Sequence, residues 1–364
     1  MAIPSDTNPL PNTDTAPKIR PSVALLYGGT SSEREVSLAS AAAVETVLED
    51  AGYRLYKIDT GDPRFLSKLT QAQADAQAQA QPTSHHQADA KPVTPHPPPL
   101  VAFIALHGQG GEDGCMQGVL ELMDIPYTGS GVLASALAMD KYRSKLLYAA
   151  AGLNTPRFVY LSAGQDAHHT TDPAEISAQL GLPCVIKPAA GGSSVGITIV
   201  RREQDIPQAL SAAFALGTNA LIESYVSGTE ITVPVLGSSK PRVLPAIEII
   251  PKNEFYDYAS KYDEGGSRHI VPARISQDAT AVASRAALLA HQILGCCGVS
   301  RTDMIIDADD RAWVIETNTI PGMTATSLLP DAASYVGISN ANLYELFIQW
   351  AIDAWQETRL RSQG

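Results

Sequence analysis

The sequence predicts a fold of mixed α/β and α+β class, with three α/β units and a cleft at each of the two junctions between them. Three observations predict it. The chain opens with a strand, a helix and a second strand, an order that favours a parallel sheet. Further strands and helices follow, and several strands run into glycine-rich turns. The length of 364 residues corresponds to two or three domains, at about 100–200 residues per domain.

The first unit begins near Pro21, because residues 1–20 are rich in Pro, Asp, Asn and Thr and are expected to be a disordered tail. Ser22–Tyr27 is a short apolar run that ends in two glycines, the pattern of a buried strand entering a turn. Val36–Asp50 contains no Gly or Pro and is closely followed by a glycine, which predicts a helix. Tyr53–Ile58 is the second strand.

The composition changes after this unit. Gln71–Gln81 alternates Gln with Ala almost without interruption, and Pro92–Pro99 is rich in Pro. Since such residues have little apolar surface to bury, we expect residues 70–99 to be a disordered or weakly helical insertion. Removal of Gln71–Pro98 should accordingly leave the activity of the protein intact.

The remaining chain alternates strands with helices. Leu100–Leu106 is an apolar run that predicts a buried strand, and the glycine-rich sequence HGQGGEDG follows directly. Further helices are expected at Met116–Met123, Ala134–Ala151, Ile206–Leu216, Ala279–Leu294 and Asn342–Thr358. Further strands are expected at Cys184–Lys187, Gly196–Val200, Leu221–Glu223, Glu230–Leu236, Val243–Ile250, Thr302–Asp307 and Ala312–Thr317.

Composition and charge exclude several functional classes. The chain has 26 Lys and Arg against 38 Asp and Glu, and the net charge of −12 repels polyphosphate and argues against a nucleic-acid partner. No apolar run approaches the roughly 20 residues of a membrane helix, and the N-terminal residues lack the apolar core of a signal peptide. The four cysteines match neither a zinc motif nor a disulfide framework. We therefore expect a cytoplasmic protein with reduced thiols and no membrane partner.

Lys187–Gly196, with the sequence KPAAGGSSVG, is a candidate phosphate site. A lysine ends one strand, and a Gly/Ser turn leads to the next strand. Glycines let backbone N–H groups approach phosphate oxygens, while the lysine and the hydroxyls of Ser193 and Ser194 add charge and donors. The segment is not a P-loop, because its lysine precedes the glycines. A simple turn is the alternative.

Two further strands carry a candidate metal site. Arg301 and Asp303 lie two residues apart on one strand, as do Glu316 and Asn318 on another, and residues two apart face the same side of a strand. If the two strands are neighbours, Asp303, Glu316 and Asn318 form an oxygen cluster suited to Mg²⁺ that is shared with substrate phosphates. The alternative is a set of solvated strand ends.

Two turns are candidates for binding a small substrate. Glu33 lies at a strand-to-helix turn, where it could bind an ammonium group or merely be an acidic residue favoured by the helix dipole. The turn from Asn318 to Ser327 offers backbone N–H groups and hydroxyls to a carboxylate or an oxyanion.

These segments together resemble a known family. The motifs are GGTSSEREVSL, ALHGQGGEDG, PYTGSG, MDKYRSK, GGSSVG, FYDYASKY and ETNTIPGMT. In this order they are similar to the D-alanine–D-alanine ligases of the ATP-grasp superfamily, from about Pro21 to the C-terminus apart from the insertion. The resemblance implies an N-terminal parallel-sheet domain at 21–129, a small central domain at 130–222 and a C-terminal domain at 223–364. ATP would lie between sheets of the latter two domains.

The resemblance also implies roles for individual residues. ATP would be bound by Lys141, Lys187, Ser193, Ser194, Glu223, Tyr225, Val226 and Glu230. Two Mg²⁺ or Mn²⁺ ions would be bound by Asp303, Glu316 and Asn318. The first D-alanine would be bound by Glu33 and His107, the second by Lys261 and Ser327, and the tetrahedral oxyanion by Arg301 and the backbone N–H of Gly322.

The implied reaction joins two D-alanines through a D-alanyl phosphate for peptidoglycan precursor synthesis. A lid at about 256–271 would keep water from this intermediate, with Tyr262 reaching Ser193 and Glu33. Tyr262 also favours an amine over D-lactate as the second substrate. The alternatives are a ligase that uses D-lactate or D-serine, and a nucleotide-binding regulatory protein that has lost catalysis. The family resemblance implies a homodimer.

Overall fold

The structure is a computed structural model that describes residues 20–80, 100–162, 172–189, 191, 196–217, 219–251, 267–324 and 326–362. Within these residues the chain forms three β-sheets. None of the helices in these ranges is both long and apolar enough to cross a membrane.

The N-terminal sheet is parallel, as the β-α-β order predicts. Its elements are β1 (Ser22–Tyr27), α1 (Arg34–Asp50), β2 (Leu55–Asp59), α2 (Phe65–Ala80) and β3 (Leu100–Ile104), followed by α3 (Cys115–Leu122). The strand order is β2-β1-β3, and both pairs are parallel. Because β1 is central, the turns after β1 and β3 lie side by side at the carboxyl edge of the sheet.

The Gln/Ala run up to Ala80 is a packed helix. It forms the later turns of α2, and Leu69, Ala72 and Ala76 are almost fully buried beside strand residue Ile58. The expectation of a disordered or weakly helical segment was therefore wrong for residues 70–80. Small alanines at a spacing of three to four residues continue the apolar stripe that begins at Leu69, so the helix has a face to bury.

The second sheet is antiparallel and four-stranded. Its elements are β4 (Phe158–Ser162), α6 (Pro173–Leu180), β5 (Cys184–Pro188), β6 (Thr198–Val200), α7 (Ile206–Leu216) and β7 (Asn219–Ser224). The strand order is β4-β7-β5-β6, and residues of α6 and α7 share one apolar core with β5 and β7. The edge strand β4 was absent from the sequence prediction.

The third sheet is antiparallel and six-stranded. Its strands are β8 (Thr229–Leu236), β9 (Arg242–Val243), β10 (Ile247–Pro251), β11 (Ser267–Ile270), β12 (Val299–Ile306) and β13 (Ala312–Asn318). The order is β11-β10-β8-β12-β13, with β9 also paired to β8. The single strand expected at Val243–Ile250 is thus two strands. Residues 267–270, at the end of the expected lid, belong to the sheet.

Three helices complete the C-terminal region: α8 (Gln277–Leu294), α9 (Leu328–Tyr335) and α10 (Asn340–Ser362). Apolar residues of α8 pack against β8, β12 and β13. Helix α10 packs against the first sheet instead, since the ring centroids of Phe103 and Tyr344 are 5.5 Å apart in an edge-on contact. This contact fixes the N-terminal sheet next to the turn that precedes α9.

The helix expected at 134–151 is two helices, α4 (Val132–Met139) and α5 (Lys141–Ala150). The break is at Asp140, whose side chain accepts a hydrogen bond from the backbone N–H of Arg143 and so caps α5. Ala138 and Tyr148 pack in one core with Val314 of the six-stranded sheet. These helices therefore pack on the C-terminal sheet, although their sequence lies in the segment that was assigned to the central domain.

Candidate active site

Two cavities meet at the side chain of Glu316. The inter-sheet cavity, of about 460 Å³, is lined by strands of the four-stranded and six-stranded sheets. The turn cavity, of about 390 Å³, is lined by the turns that precede α1 and α9 and by the loop after β3. Glu316 lines both, so the two cavities adjoin at this residue.

The inter-sheet cavity has apolar walls and a charged end. Val185 and Ile199 come from one sheet and Ile249 and Ile305 from the other, so two apolar surfaces face each other. Tyr225, Val226 and Glu230 also line this cavity, and Tyr225 is partly exposed. Lys187, Glu223, Asp303 and Glu316 supply its charges. A flat ring with a charged tail fits such a slot.

Glu223 is held between two lysines. Its Oε1 lies 2.8 Å from the Nζ of Lys145, and its Oε2 lies 2.8 Å from the Nζ of Lys187. All three side chains are buried. Burial alone would raise the pKa of Glu223, but the two ammonium groups outweigh it and lower this pKa. Glu223 therefore stays ionised and orients Lys187.

Asp303 and Glu316 are direct neighbours on adjacent strands. In the β12–β13 register Asp303 faces Glu316 and Arg301 faces Asn318, as the metal-site hypothesis requires. A β-bulge follows, because Met304 faces Val314 and leaves Ile315 without a partner in the register. Ile315 and Glu316 consequently line the same cavity although they are adjacent in sequence.

The oxygen atoms of this cluster bind protein groups in the structure. Arg301 donates from Nε and Nη2 to the two carboxylate oxygens of Asp303, at 3.1 and 3.0 Å. The Nζ of Lys141 lies 3.3 Å from Glu316 Oε2. Asn318 Oδ1 accepts from the backbone N–H of Ile320 at 2.8 Å.

The donor set of this cluster fits a hard cation. Two carboxylates and one amide oxygen are ligands that Mg²⁺ and Mn²⁺ prefer, and substrate phosphates commonly complete such sites. Among the described residues no group of three or more His, Cys, Asp or Glu is arranged to hold a metal ion. To hold a cation, Asp303 and Glu316 would therefore need the amide oxygen of Asn318 and a ligand that brings further oxygens.

Glu33 points into the turn cavity and does not cap its helix. It is the N-cap residue of α1, but its side chain makes no capping hydrogen bond. A Cβ added to Gly108 would lie 2.6 Å from Glu33 Oε2, and Gly108 has φ +70°, so only glycine lets the carboxylate sit there. The alternative of an ordinary dipole-favoured residue does not describe this buried side chain.

His107 lies beside Glu33 in the same cavity. Its Nε2 is 2.9 Å from the hydroxyl of Ser40, on α1. Burial, helped by the positive charge of Arg301, lowers the pKa of His107 to about 4. The imidazole is therefore neutral near pH 7 and acts as a hydrogen-bonding group.

Glu112 is a buried member of the turn cavity that sequence reasoning missed. Its Oε2 accepts a hydrogen bond of 2.7 Å from the backbone N–H of Gly108. Burial, and then the negative charge of Glu33, raise the pKa of Glu112 to about 8. Glu112 is accordingly protonated near pH 7. The available signal was its position inside the glycine-rich sequence HGQGGEDG, where an acidic residue follows two glycines.

The turn before α9 brings Gly322 and Ser327 together. A Cβ added to Gly322 would lie 2.8 Å from Ser327 Oγ, so a side chain at residue 322 would collide with this hydroxyl. Met323 is held on both sides, because its N–H donates to Ser40 Oγ at 3.4 Å and its carbonyl accepts from Tyr344 Oη at 3.0 Å. The backbone beside Gly322 is thus fixed by the N-terminal helix and by α10.

The structure places most of the predicted site residues around the two cavities. Glu33, His107, Lys141, Arg301, Asn318, Gly322 and Ser327 line the turn cavity. Ser193, Ser194, Lys261 and Tyr262 lie outside the described residues. Sequence reasoning overlooked Ser40, Glu112 and Lys145, although each lies in or beside a quoted motif, because none of these residue types indicates its partners.

Family models cover most of the chain. The model described as D-ala D-ala ligase N-terminus matches residues 22–130, and the model described as D-ala D-ala ligase C-terminus matches residues 147–349. The chain belongs to the D-alanine–D-alanine ligase family. This membership confirms the resemblance that the sequence motifs indicated.

Known proteins of the family are similar over nearly their whole length. The D-alanine–D-alanine ligase of Carboxydothermus hydrogenoformans is 41% identical over 336 residues, which cover 92% of this chain and 99% of the relative. The crystal structure of D-alanine–D-alanine ligase from Bacillus anthracis complexed with ATP has a TM-score of 0.75 and 27% identity, and covers 93% of this chain and all of that chain.

The D-Ala:D-Ser ligase VanG from Enterococcus faecalis is also similar in structure. Its TM-score is 0.71 at 30% identity, and the match covers 92% of this chain and 99% of that chain. These neighbours, with the parallel first sheet and the two antiparallel sheets, confirm the predicted ATP-grasp fold class.

Proposed function

We propose that the protein catalyses the ATP-dependent ligation of two D-alanines to D-alanyl-D-alanine, for peptidoglycan precursor synthesis. The observation that carries the proposal is the meeting of the two cavities at Glu316, next to Arg301 and Asp303. A phosphoryl donor in the inter-sheet cavity would there meet a carboxylate in the turn cavity. Similarity to D-alanine–D-alanine ligases over nearly the whole chain supports the substrates.

ATP fits the inter-sheet cavity. The apolar side chains of the two sheets, among them Ile199 and Ile305, would hold the adenine ring between them. Glu230, with Tyr225 and Val226, would contact the nucleoside, and Lys187 would bind phosphate oxygens. Lys141, which contacts Glu316, would bind the phosphates at the junction of the cavities.

We propose that Asp303, Glu316 and Asn318 hold two Mg²⁺ or Mn²⁺ ions when ATP is bound. When bound, these ions would neutralise the negative charge that accumulates on the phosphoryl oxygens. The hydrogen bonds from Arg301 orient the carboxylate of Asp303 for this task.

The turn cavity would hold the two D-alanines. Glu33 would bind the ammonium group of the first D-alanine, and neutral His107 would help to orient it. The first carboxylate would then face Glu316 and the nucleotide. Ser327, with Lys261, would bind the carboxylate of the second D-alanine.

The reaction would proceed in two steps. A carboxylate oxygen of the first D-alanine attacks the γ-phosphorus of ATP, and the bond to the β-phosphate oxygen breaks, which gives D-alanyl phosphate and ADP. The free amine of the second D-alanine then attacks the acyl carbon, and phosphate leaves as the amine loses a proton to solvent. Arg301 and the N–H of Gly322 would stabilise the tetrahedral oxyanion, a contribution typically of about 3–4 kcal/mol per donor.

A coupled assay tests this function. Purified protein with ATP, Mg²⁺ and D-alanine should release ADP and phosphate in a one-to-one ratio with D-alanyl-D-alanine. D-Lactate and D-serine, each mixed with D-alanine, should give much less mixed product. Nucleotide binding without ADP release would favour a regulatory protein, and a preference for D-serine would favour a D-Ala:D-Ser ligase.

Further expectations from the family belong to this proposal. We propose three domains at about 21–129, 130–222 and 223–364, with α4 and α5 of the second segment packed on the C-terminal sheet. We also propose a lid that includes Tyr262, a homodimer and a cytoplasmic location. Light scattering would measure the mass of the particle in solution. Limited proteolysis with and without ATP would locate the domain boundaries.

A further inference from the structure

Lys145 is a buried ionisable group with no part in the proposed chemistry. Its side chain is fully buried on α5 and lines neither cavity. Besides Glu223, its Nζ donates to the hydroxyl of Thr155 at 2.6 Å and lies 5.3 Å from the ring centroid of Phe158. Thr155 in turn donates to the carbonyl of Val314 on β13. A buried lysine in such a network needs a physical reason, because burying an ammonium group is costly.

The charges of the three side chains indicate why Lys145 is buried there. Glu223 offers one negative charge, whereas Lys145 and Lys187 offer two positive charges, one on each carboxylate oxygen. The three side chains therefore keep one net positive charge at the wall of the inter-sheet cavity. Lys187 lines that cavity, whereas Lys145 does not. The surplus charge thus faces the nucleotide through Lys187.

Without Lys145 the surplus positive charge would be lost. Glu223 and Lys187 would form a closed neutral pair, and a phosphate that recruited Lys187 would leave Glu223 buried without a cation. Breaking a buried pair in this way is strongly unfavourable. Lys145 removes this penalty, because Glu223 keeps one cation while Lys187 moves toward phosphate.

We propose that Lys145 is a positioning residue for ATP binding: it supplies the counter-charge of Glu223 and so leaves the ammonium charge of Lys187 for the triphosphate. The inference rests on the proposed placement of ATP in the inter-sheet cavity. It predicts that Lys145 matters for the phosphates of the nucleotide and not for its adenosine part.

Binding measurements with two ligands test the proposal without any ligation step. Calorimetry gives the Kd of ATP with Mg²⁺, and of adenosine, for wild type, Lys145→Met, Lys145→Arg and the control Lys57→Met. Lys57 pairs with Glu45 on the surface, so its removal changes total charge equally. Lys145→Met should fold, because the remaining Lys187–Glu223 pair is neutral and Met has a similar volume, and thermal melting checks this.

Lys145→Met should weaken ATP binding by about tenfold or more, the equivalent of about 1.4 kcal/mol, while adenosine binding changes less than about twofold. Lys145→Arg should restore most of the ATP affinity, and Lys57→Met should bind like the wild type. Equal losses for ATP and adenosine, or no loss for either, would overturn the proposal. A wild-type chain that binds no ATP would overturn the proposed function as well, so the two failures are distinguishable.

The pH dependence gives a readout that a structural role would not move. Burial lowers the pKa of Lys145 to about 8, and the charged groups that act on it are Glu223, Lys187 and Glu316. Above this pH Lys145 loses its charge, so ATP affinity of the wild type should fall as pH rises through about 8. Lys145→Arg stays protonated and should show no such fall, and a fall of the same size in this variant would contradict the inference.

Discussion

The two cavities differ in the charge state of their buried ionisable groups. In the inter-sheet cavity the buried carboxylate of Glu223 is kept charged, because the ammonium groups of Lys145 and Lys187 each lie 2.8 Å from it and lower its pKa. In the turn cavity His107 and Glu112 are kept neutral near pH 7, because burial moves their pKa values to about 4 and about 8. The same low-polarity interior thus stabilises charge in one place and removes it in the other.

This difference follows from what each cavity would bind. A triphosphate carries several negative charges and needs a surplus of fixed positive charge. A D-alanine carries one charge of each sign, so a few fixed charges such as Glu33 and Arg301 suffice to orient it. Additional charges there would compete with the substrate for them. Neutral His107 and Glu112 can shape the turn cavity without such competition.

The largest expected effect is at Glu316, because it belongs to both cavities. Glu316→Gln should lower kcat by at least about 10²-fold, the scale for losing one preorganised electrostatic contact to a transition state. Steady-state kinetics should also show a higher KM for both ATP and D-alanine. The exposed Glu49→Gln is the matched control and should behave as wild type. A change in only one of the two KM values would mean that Glu316 does not connect the cavities.

A substitution at Ser40 should affect the turn cavity and leave the inter-sheet cavity unchanged. Ser40→Ala removes the hydrogen bond to His107, which lines the turn cavity, and the hydrogen bond from the N–H of Met323, the neighbour of the lining residue Gly322. We expect kcat/KM for D-alanine to fall about tenfold, which corresponds to one net hydrogen bond, with KM for ATP unchanged. Ser40→Thr keeps the hydroxyl and should retain more activity. An equal rise in KM for ATP would count against the separation.

Glu112 gives a prediction for stability and pH. Its pKa is raised in the folded state, so between about pH 4.5 and 8 Glu112 is protonated in the folded protein but ionised in the unfolded chain. The free energy of unfolding therefore decreases as pH rises through this range, and this decrease is the cost of burying Glu112. Glu112→Gln removes this cost and keeps an acceptor for Gly108. Its Tm should exceed that of wild type by a few degrees at pH 7.5 and match it near pH 4. A constant difference across this range would contradict the shifted pKa.

The smallest effect is expected from residues 81–98, which follow α2 in the sequence and lie outside the described residues. Replacement of residues 81–98 by a short Gly/Ser linker should leave kcat and both KM values within about twofold of wild type. Removal from Gln71 onward, which the sequence predicted to leave activity intact, should lower Tm by several degrees. Ala72 and Ala76 are buried there, and their removal exposes the apolar face of the sheet. Equal Tm values for the two deletions would contradict this packing.

Local patterns in the sequence were sufficient to predict most helices and strands. Ser22–Tyr27 and its two glycines predicted β1 and the following turn, and the residues two apart in Arg301–Asp303 and Glu316–Asn318 predicted shared faces. The Gln/Ala run was misread because composition alone does not reveal that a stripe of alanines has a sheet to pack against. Strand β4 was missed because it is short and lies beside a polar stretch.

By itself the sequence determined the family, the fold class and the identities of most candidate site residues, since these depend on motifs of adjacent residues. Only the tertiary structure decided how the charges are paired. The bulge that places Ile315 and Glu316 on the same cavity depends on the register of two strands, and the Lys145–Glu223–Lys187 network joins a helix to two strands far apart in sequence. Ion pairs, burial and the resulting pKa values depend on distances across the folded chain, and the order of residues does not state those distances.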